Sequence, residues 1–100
     1  MVGDSSNIDV REFEWDESNL SHVAEHGVAR EDVESVRDNA PRFFANLPNR
    51  SGTHVMVGPD SSGRFYYVVM APGALAGTWR VITAYQYARR RALRIYGRDE

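Results

Sequence analysis

No cysteine occurs among the 100 residues, which excludes disulfides and removes every zinc site that depends on thiolate ligands. Lysine is missing as well: all twelve basic residues are arginine. The guanidinium fork suits phosphate recognition, although GC-rich coding alone also favours arginine over lysine. No run of 18 apolar residues is present, so no membrane-spanning helix is expected. The opening MVGDSSNID is polar and acidic, with neither a basic leader nor an apolar stretch behind it, and it predicts no signal peptide. The cytoplasm is the expected location, where the Asn-x-Ser triplets at Asn19 and Asn49 carry no glycan.

What is present is an ordinary globular composition, 42% apolar and 26% charged, with length for one modest core and not two. The net charge of −2 hides a sharp division. Residues 1–38 hold eleven acids against Arg11, Arg30 and Arg37, a net −8. Residues 39–98 hold nine arginines against Asp60, a net +8. Such asymmetry predicts a local face for polyanions on a chain that is nearly neutral overall.

Along the chain, residues 1–8 read as a disordered tail and 9–98 as a single domain. Asp9 to Trp15 alternates as a strand, with Phe13 and Trp15 on one face and Glu12 and Glu14 on the other. Asp16 suits an N-cap, and the helix it opens should run to about His26, with Leu20, Val23 and Ala24 inward and Gly27 as a left-handed stop. A second helix is expected over Arg30 to Asp38, carrying Val33 and Val36 inward, with Pro41 beyond it. Four strands follow, at Arg42–Leu47, Thr53–Val57, Arg64–Ala71 and Thr78–Ala84, separated by Pro/Gly/Ser/Asp turns. Phe65 to Met70 is apolar at every position, as a central strand covered on both faces should be. Gln86 to Tyr96 reads as a closing helix, with Ala88, Ala92 and Ile95 toward the sheet. The predicted order is β-α-α-β-β-β-β-α, an α+β domain with a mostly antiparallel sheet and helices packed on it.

Three blocks carry a family resemblance. Phe13-Glu14-Trp15-Asp16 is one; Asn19 followed by His22-Val23-Ala24-Glu25-His26-Gly27-Val28 is the second. Arg80-Val81-Ile82-Thr83-Ala84, leading to a basic helix that ends near Tyr96, is the third. Together they resemble the BrnT-like toxins of bacterial type II toxin–antitoxin pairs. The resemblance implies a RelE-like fold and an endoribonuclease that cuts RNA without a metal or other cofactor. It also implies a cognate antitoxin of the ribbon-helix-helix type. The last block departs from the family's pattern: Tyr85 stands where an arginine is common, and Ala88 and Arg91 stand where a threonine and a glutamate are common.

Metal-free RNA cleavage needs a base for the 2′-hydroxyl, cations for the phosphate and an acid for the leaving 5′-oxygen. His22 and His26, four apart and with Asn19 one turn before, share a helical face, and imidazole is the side-chain type suited to act as base or acid at cellular pH. Their other reading is packing, or bonding of the last helical carbonyls. The same spacing offers only two zinc ligands, so no metal site is expected. Arg80 either faces a phosphate or pairs with an N-terminal acid. Tyr85 replaces the missing arginine as a hydrogen-bond donor. Arg89, Arg90, Arg91 and Arg94, with Arg98 and the more distant Arg64, form the expected RNA-binding set. Its alternatives are a solvated face, or a landing site for an acidic antitoxin segment. Trp79 and Tyr87 are candidate stacking platforms for bases, and His54 is a weaker candidate. A non-catalytic module that binds nucleic acid or a protein partner through its arginine face is the competing reading.

Overall fold

One acidic side chain ends the first strand and starts the first helix. Asp16 has an extended backbone, and its carboxylate accepts from the Asn19 amide at 3.0 Å while the Asn19 side chain accepts from the Asp16 amide at 2.8 Å. This reciprocal cap satisfies two amides that a helix start leaves without partners. The fold described is that of a computed structural model, which covers residues 8–96. It comprises β1 (Glu12–Glu14), α1 (Glu17–Ala24), α2 (Arg30–Arg37), β2 (Arg42–Ala45), β3 (His54–Pro59), β4 (Phe65–Pro72), β5 (Thr78–Tyr87) and α3 (Arg89–Tyr96). The predicted order holds, and the class is α+β.

The strands form one mixed sheet in the order β1-β5-β4-β3-β2, parallel only between β1 and β5. β4, the run without polar positions, is central. Cross-strand partners share a face, so the register divides the side chains. Met56, Val68 and Met70 pack with Val23, Val33 and Val36 of α1 and α2 in the main core. The neighbouring positions Val55, Val57, Tyr67 and Val69 face the other way, where α3 crosses β3 and β4 with Ala92 fully buried. Each buried valine contributes about 1.5–3 kcal/mol.

β5 changes phase midway. Met70 pairs with Val81 but Val69 pairs with Thr83, which leaves Ile82 as the extra residue of a bulge. Before it, Trp79 and Val81 belong to the main core; after it, Ala84 does. Thr83, Tyr85 and Tyr87 are thereby turned onto the α3 side, in register with Val69, Tyr67 and Phe65.

Several boundaries differ from expectation. Ile8, assigned to the tail, packs against the core; residues 1–7 lie outside the described residues. β1 keeps only three of its seven predicted residues, since only these find ladder partners on β5. β5 runs three residues further than predicted because its last residues, Tyr85 to Tyr87, pair with Phe65 to Tyr67. The closing helix therefore starts at Arg89. Ala24, expected inward, is exposed.

Where β1 ends, the edge of β5 would lose its bonds. Asn19 takes them up: its Nδ2 donates to the Glu14 carbonyl at 2.8 Å and to the Val81 carbonyl at 3.1 Å. The residue is 3% exposed, so these carbonyls have no easy replacement in water. Asn19→Ala removes both bonds and half of the cap. We expect a loss of about 2–4 kcal/mol in urea denaturation, whereas Ser18→Ala on the exposed side of the same turn should change little.

Candidate functional site

α1 ends at Ala24, two residues short of the expected end at His26, and the turn that stops it sets the position of both histidines, His22 in the last helical turn and His26 just beyond it. The Val28 amide reaches back to the Val23 carbonyl (3.0 Å) and the Gly27 amide to Ala24 (2.9 Å), with Gly27 at φ +74°. Two buried valines, Val23 and Val28, close this turn, the pattern of a left-handed helix stop with its apolar contact. Val23 is thereby fixed inward, and His22 and His26 face out. Their rings stand 5.6 Å apart, edge to face, and the His26 ring lies 4.6 Å from that of Tyr85. All three side chains are exposed.

Asn19 does not share that outward face. It is buried and used in full by the cap and the two carbonyls, so only the histidine pair remains of the predicted trio. His22 instead opens onto a cleft between α1 and the loop joining β2 and β3. Ser18, His22 and Glu25 form one wall, Ser51 the other, and Arg80 and Ile82 the floor. Glu25 lies 4.0 Å from His22 Nδ1. The fold thus gathers His22, His26 and Tyr85 into a line of rings and brings His22 and Arg80 into one cleft. Among the described residues no three His, Asp or Glu side chains converge as a metal site would require.

Arg80 has an acidic partner, the second of the two expectations for it. Its Nη1 and Nη2 bond to the two carboxylate oxygens of Asp16 at 2.8 and 3.3 Å. The Arg80 bond, aided by the Asn19 amide, holds the Asp16 carboxyl below its ordinary 3.8, and the same bond raises Arg80. A phosphate in the cleft would therefore have to compete with Asp16 for the guanidinium.

The remaining predicted contacts are dispersed. Arg64 sits at the β3–β4 turn, 3.2 Å from Asp60 and 4.0 Å from Asp32. Asp60 is 3% exposed; burial pushes its carboxyl up, but the Arg64 and Ser62 amides and the Arg64 charge outweigh this and set it below 3.8. Arg64 is thus part of a turn lock and stands apart from the α3 arginines. Arg89, Arg90, Arg91 and Arg94 are exposed on α3, on the opposite side of the sheet from α1 and α2. Because the helix starts at Arg89, three of them fall in its first turn, where the helix dipole opposes positive charge. Arg98 lies outside the described residues.

Neither proposed stacking platform is open. Trp79 is 8% exposed, donates its indole N–H to the Asp9 carbonyl at 3.0 Å and meets the edge of His54. Tyr87 stacks on Tyr67 at 4.9 Å and carries the Arg91 guanidinium 4.6 Å from its ring centre. Glu25 and Ser51, which carry no motif of their own, also line the cleft. Glu25 had a signal, its i,i+3 spacing from His22; Ser51 had none, because a loop's folding back is set by tertiary contacts.

Asp16→Asn separates charge from cap, since asparagine caps as well as aspartate. The folded Asp16 pKa is depressed, so the pair's contribution is complete above 3.8 and is lost as pH falls through the lower folded value. We expect urea midpoints of the wild type to fall across that acidic window and those of Asp16→Asn to fall less, while both keep the same helix content by circular dichroism.

Comparison with protein-family models, with curated proteins and with solved structures finds no match to this chain.

Proposed function

We propose that the protein is the toxin of a type II toxin–antitoxin pair, a metal-independent endoribonuclease. The observation that carries this reading is a run of exposed rings, His22 beside His26 and His26 beside Tyr85, whose first member shares a cleft with Arg80; none of the four belongs to the core. The BrnT-like blocks fall on the elements that build it: Asp16 and Asn19 lock α1 to β5, His22 projects from α1 and His26 from the turn that ends it, and Arg80 lines the cleft.

The chemistry is a transesterification. One imidazole removes the proton from a 2′-hydroxyl, whose oxygen attacks the adjacent phosphorus. The 5′-oxygen leaves with a proton from the second imidazole, giving a 2′,3′-cyclic phosphate. We assign His26, which is backed by Tyr85, as the base and His22, which opens into the cleft beside Glu25, as the acid. Arg80 exchanges Asp16 for the phosphate as charge builds there. Tyr85 supplies a donor where the family commonly has arginine, a weaker stabiliser of charge. The antitoxin expected from the resemblance is a small ribbon-helix-helix protein encoded beside the toxin.

One observation favours a second reading. Arg80 is already neutralised by Asp16, whereas the α3 arginines have no carboxylate partner among the described residues. A module that binds nucleic acid through α3 without cutting it fits that contrast.

Expression should arrest growth, and co-expression of the neighbouring antitoxin should relieve it. His26→Ala should lower cleavage of a labelled RNA by roughly 10²-fold or more, and Arg80→Ala should abolish toxicity. Intact RNA and harmless expression of the wild type would defeat the nuclease reading. Salt-sensitive binding without products, weakened by Arg90→Glu and Arg94→Glu, would establish the second.

A further inference from the structure

The two edges of the sheet are unlike. β1 is three residues long and carries Glu12 and Glu14, charges that discourage the addition of a further strand. β2, at the other end, reads Arg42-Phe43-Phe44-Ala45. Its one charge is turned back onto its own strand, with the Arg42 guanidinium 5.7 Å from the centre of the Phe44 ring. Both phenylalanines stay only half-buried, Phe43 on the side of the main core and Phe44 on the α3 side, paired with Val55.

The phase of the ladder decides which backbone groups this edge offers. The Asn46 amide bonds to the Thr53 carbonyl at 2.8 Å. Asn46 and, at alternate positions before it, Phe44 and Arg42 therefore turn their amides and carbonyls toward β3. Phe43 and Ala45 turn theirs outward, and among the described residues no backbone or side-chain group takes them up. Ala45 is also exposed, so a further strand can approach without displacing a side chain.

We infer that β2 is the seat of a two-fold dimer, pairing antiparallel with β2 of a second copy about an axis through Phe44. In that register Phe43 lies opposite Ala45 of the other copy, and each such pair exchanges both of its hydrogen bonds. Phe44 meets Phe44, Arg42 comes opposite the uncharged Asn46, and the exposed Leu47 falls beside Pro41. A large ring is thus set against a methyl group on one face, and no like charges meet on the other. Neighbouring registers do worse. An axis through Phe43 sets Ala45 opposite Pro41, which has no N–H. An axis through Ala45 sets Phe43 opposite Leu47, whose amide already bonds to the Asn46 side chain at 2.9 Å. This fit of the strand to itself names a second copy as the occupant. The axis stands perpendicular to the sheet, so both α3 helices lie on one side of the joined sheet and both acidic α2 helices on the other. The dimer doubles the arginine surface and does not depend on the nuclease reading.

Sedimentation equilibrium over a concentration series reads the assembly: the mass should rise toward twice 11.3 kDa, and the Phe43 and Ala45 amides should gain protection from hydrogen exchange in step. Ala45→Pro removes an outward N–H and no bond to β3, so it should weaken the dimer by roughly 10-fold or more with an unchanged circular dichroism spectrum. The chain has no cysteine, so a single introduced thiol reports the register. Phe44→Cys should form a disulfide-linked dimer on mild oxidation, because residues facing each other across a non-bonded pair stand about 4.5 Å apart at Cα, within reach of a disulfide. Ala45→Cys is displaced from its own counterpart along the strands and should link far less. A wild type that stays monomeric, with the Phe43 and Ala45 amides exchanging freely, overturns the dimer and leaves the edge to a foreign strand. A dimer that survives Ala45→Pro, or that links equally well through both thiols, overturns this interface in favour of another. Should Ala45→Pro fail to fold, the wild-type masses and the two thiol variants decide alone.

Discussion

Asn19 holds α1 to the rim of the sheet with a carboxamide that is used at both ends. Its oxygen closes the helix start on Asp16, and its nitrogen takes the carbonyls of Glu14 and Val81, one from each of two parallel strands. Every outward group on α1 inherits its position from that fixation. His22 follows one turn later on the helix, and the valine-lined stop at Gly27 fixes the far end and the turn that carries His26. Asp16, held by the same cap, is thereby within reach of Arg80. The site is therefore assembled by backbone satisfaction, a short-range demand that tolerates little displacement.

The charges carried by the helices lie on opposite sides of the sheet. α1 and the more acidic α2 cover one face, and α2 neutralises two of its own charges, through Arg30 with Glu34 and Arg37 with Asp38. α3 covers the other face with cations and no acid in its first turn. At physiological salt, screening over about 8 Å keeps the two surfaces electrostatically separate. The α3 surface is thus cationic although the whole molecule is slightly negative, and Arg80 pairs with Asp16 where β5 meets the start of α1.

Local signals in the sequence carried most of the architecture. Asp16 as a cap, Gly27 as a left-handed stop and the unbroken apolar run of β4 each depend on neighbours a few residues away, and each lies where it was expected. The short β1 was not legible, because its length is set by where β5 offers partners. Helical spacing alone places Asn19 beside His22 on an outward face; its burial depends on the carbonyls of Glu14 and of Val81, the second sixty-two positions away. Trp79 and Tyr87 looked available for bases for a similar reason: their coverage by Asp9, His54, Tyr67 and Arg91 comes from elements far along the chain. The meeting of His26 with Tyr85 crosses about sixty positions, and no pattern within either segment announces it.

The Val81-Ile82-Thr83 bulge has a consequence for how this protein can change over time. It absorbs one residue of length: Val81 and Thr83 already face consecutive partners, Met70 and Val69, and Ile82 is the residue left over. Loss of the Ile82 codon would close the bulge and leave Ala84 in the core and Tyr85 and Tyr87 on the α3 face. Loss of Ala84 has no such slack, because it would set Tyr85 opposite Val68 and drive a phenol into the core. Change of length in this strand is therefore tolerated at one position and resisted on either side of it.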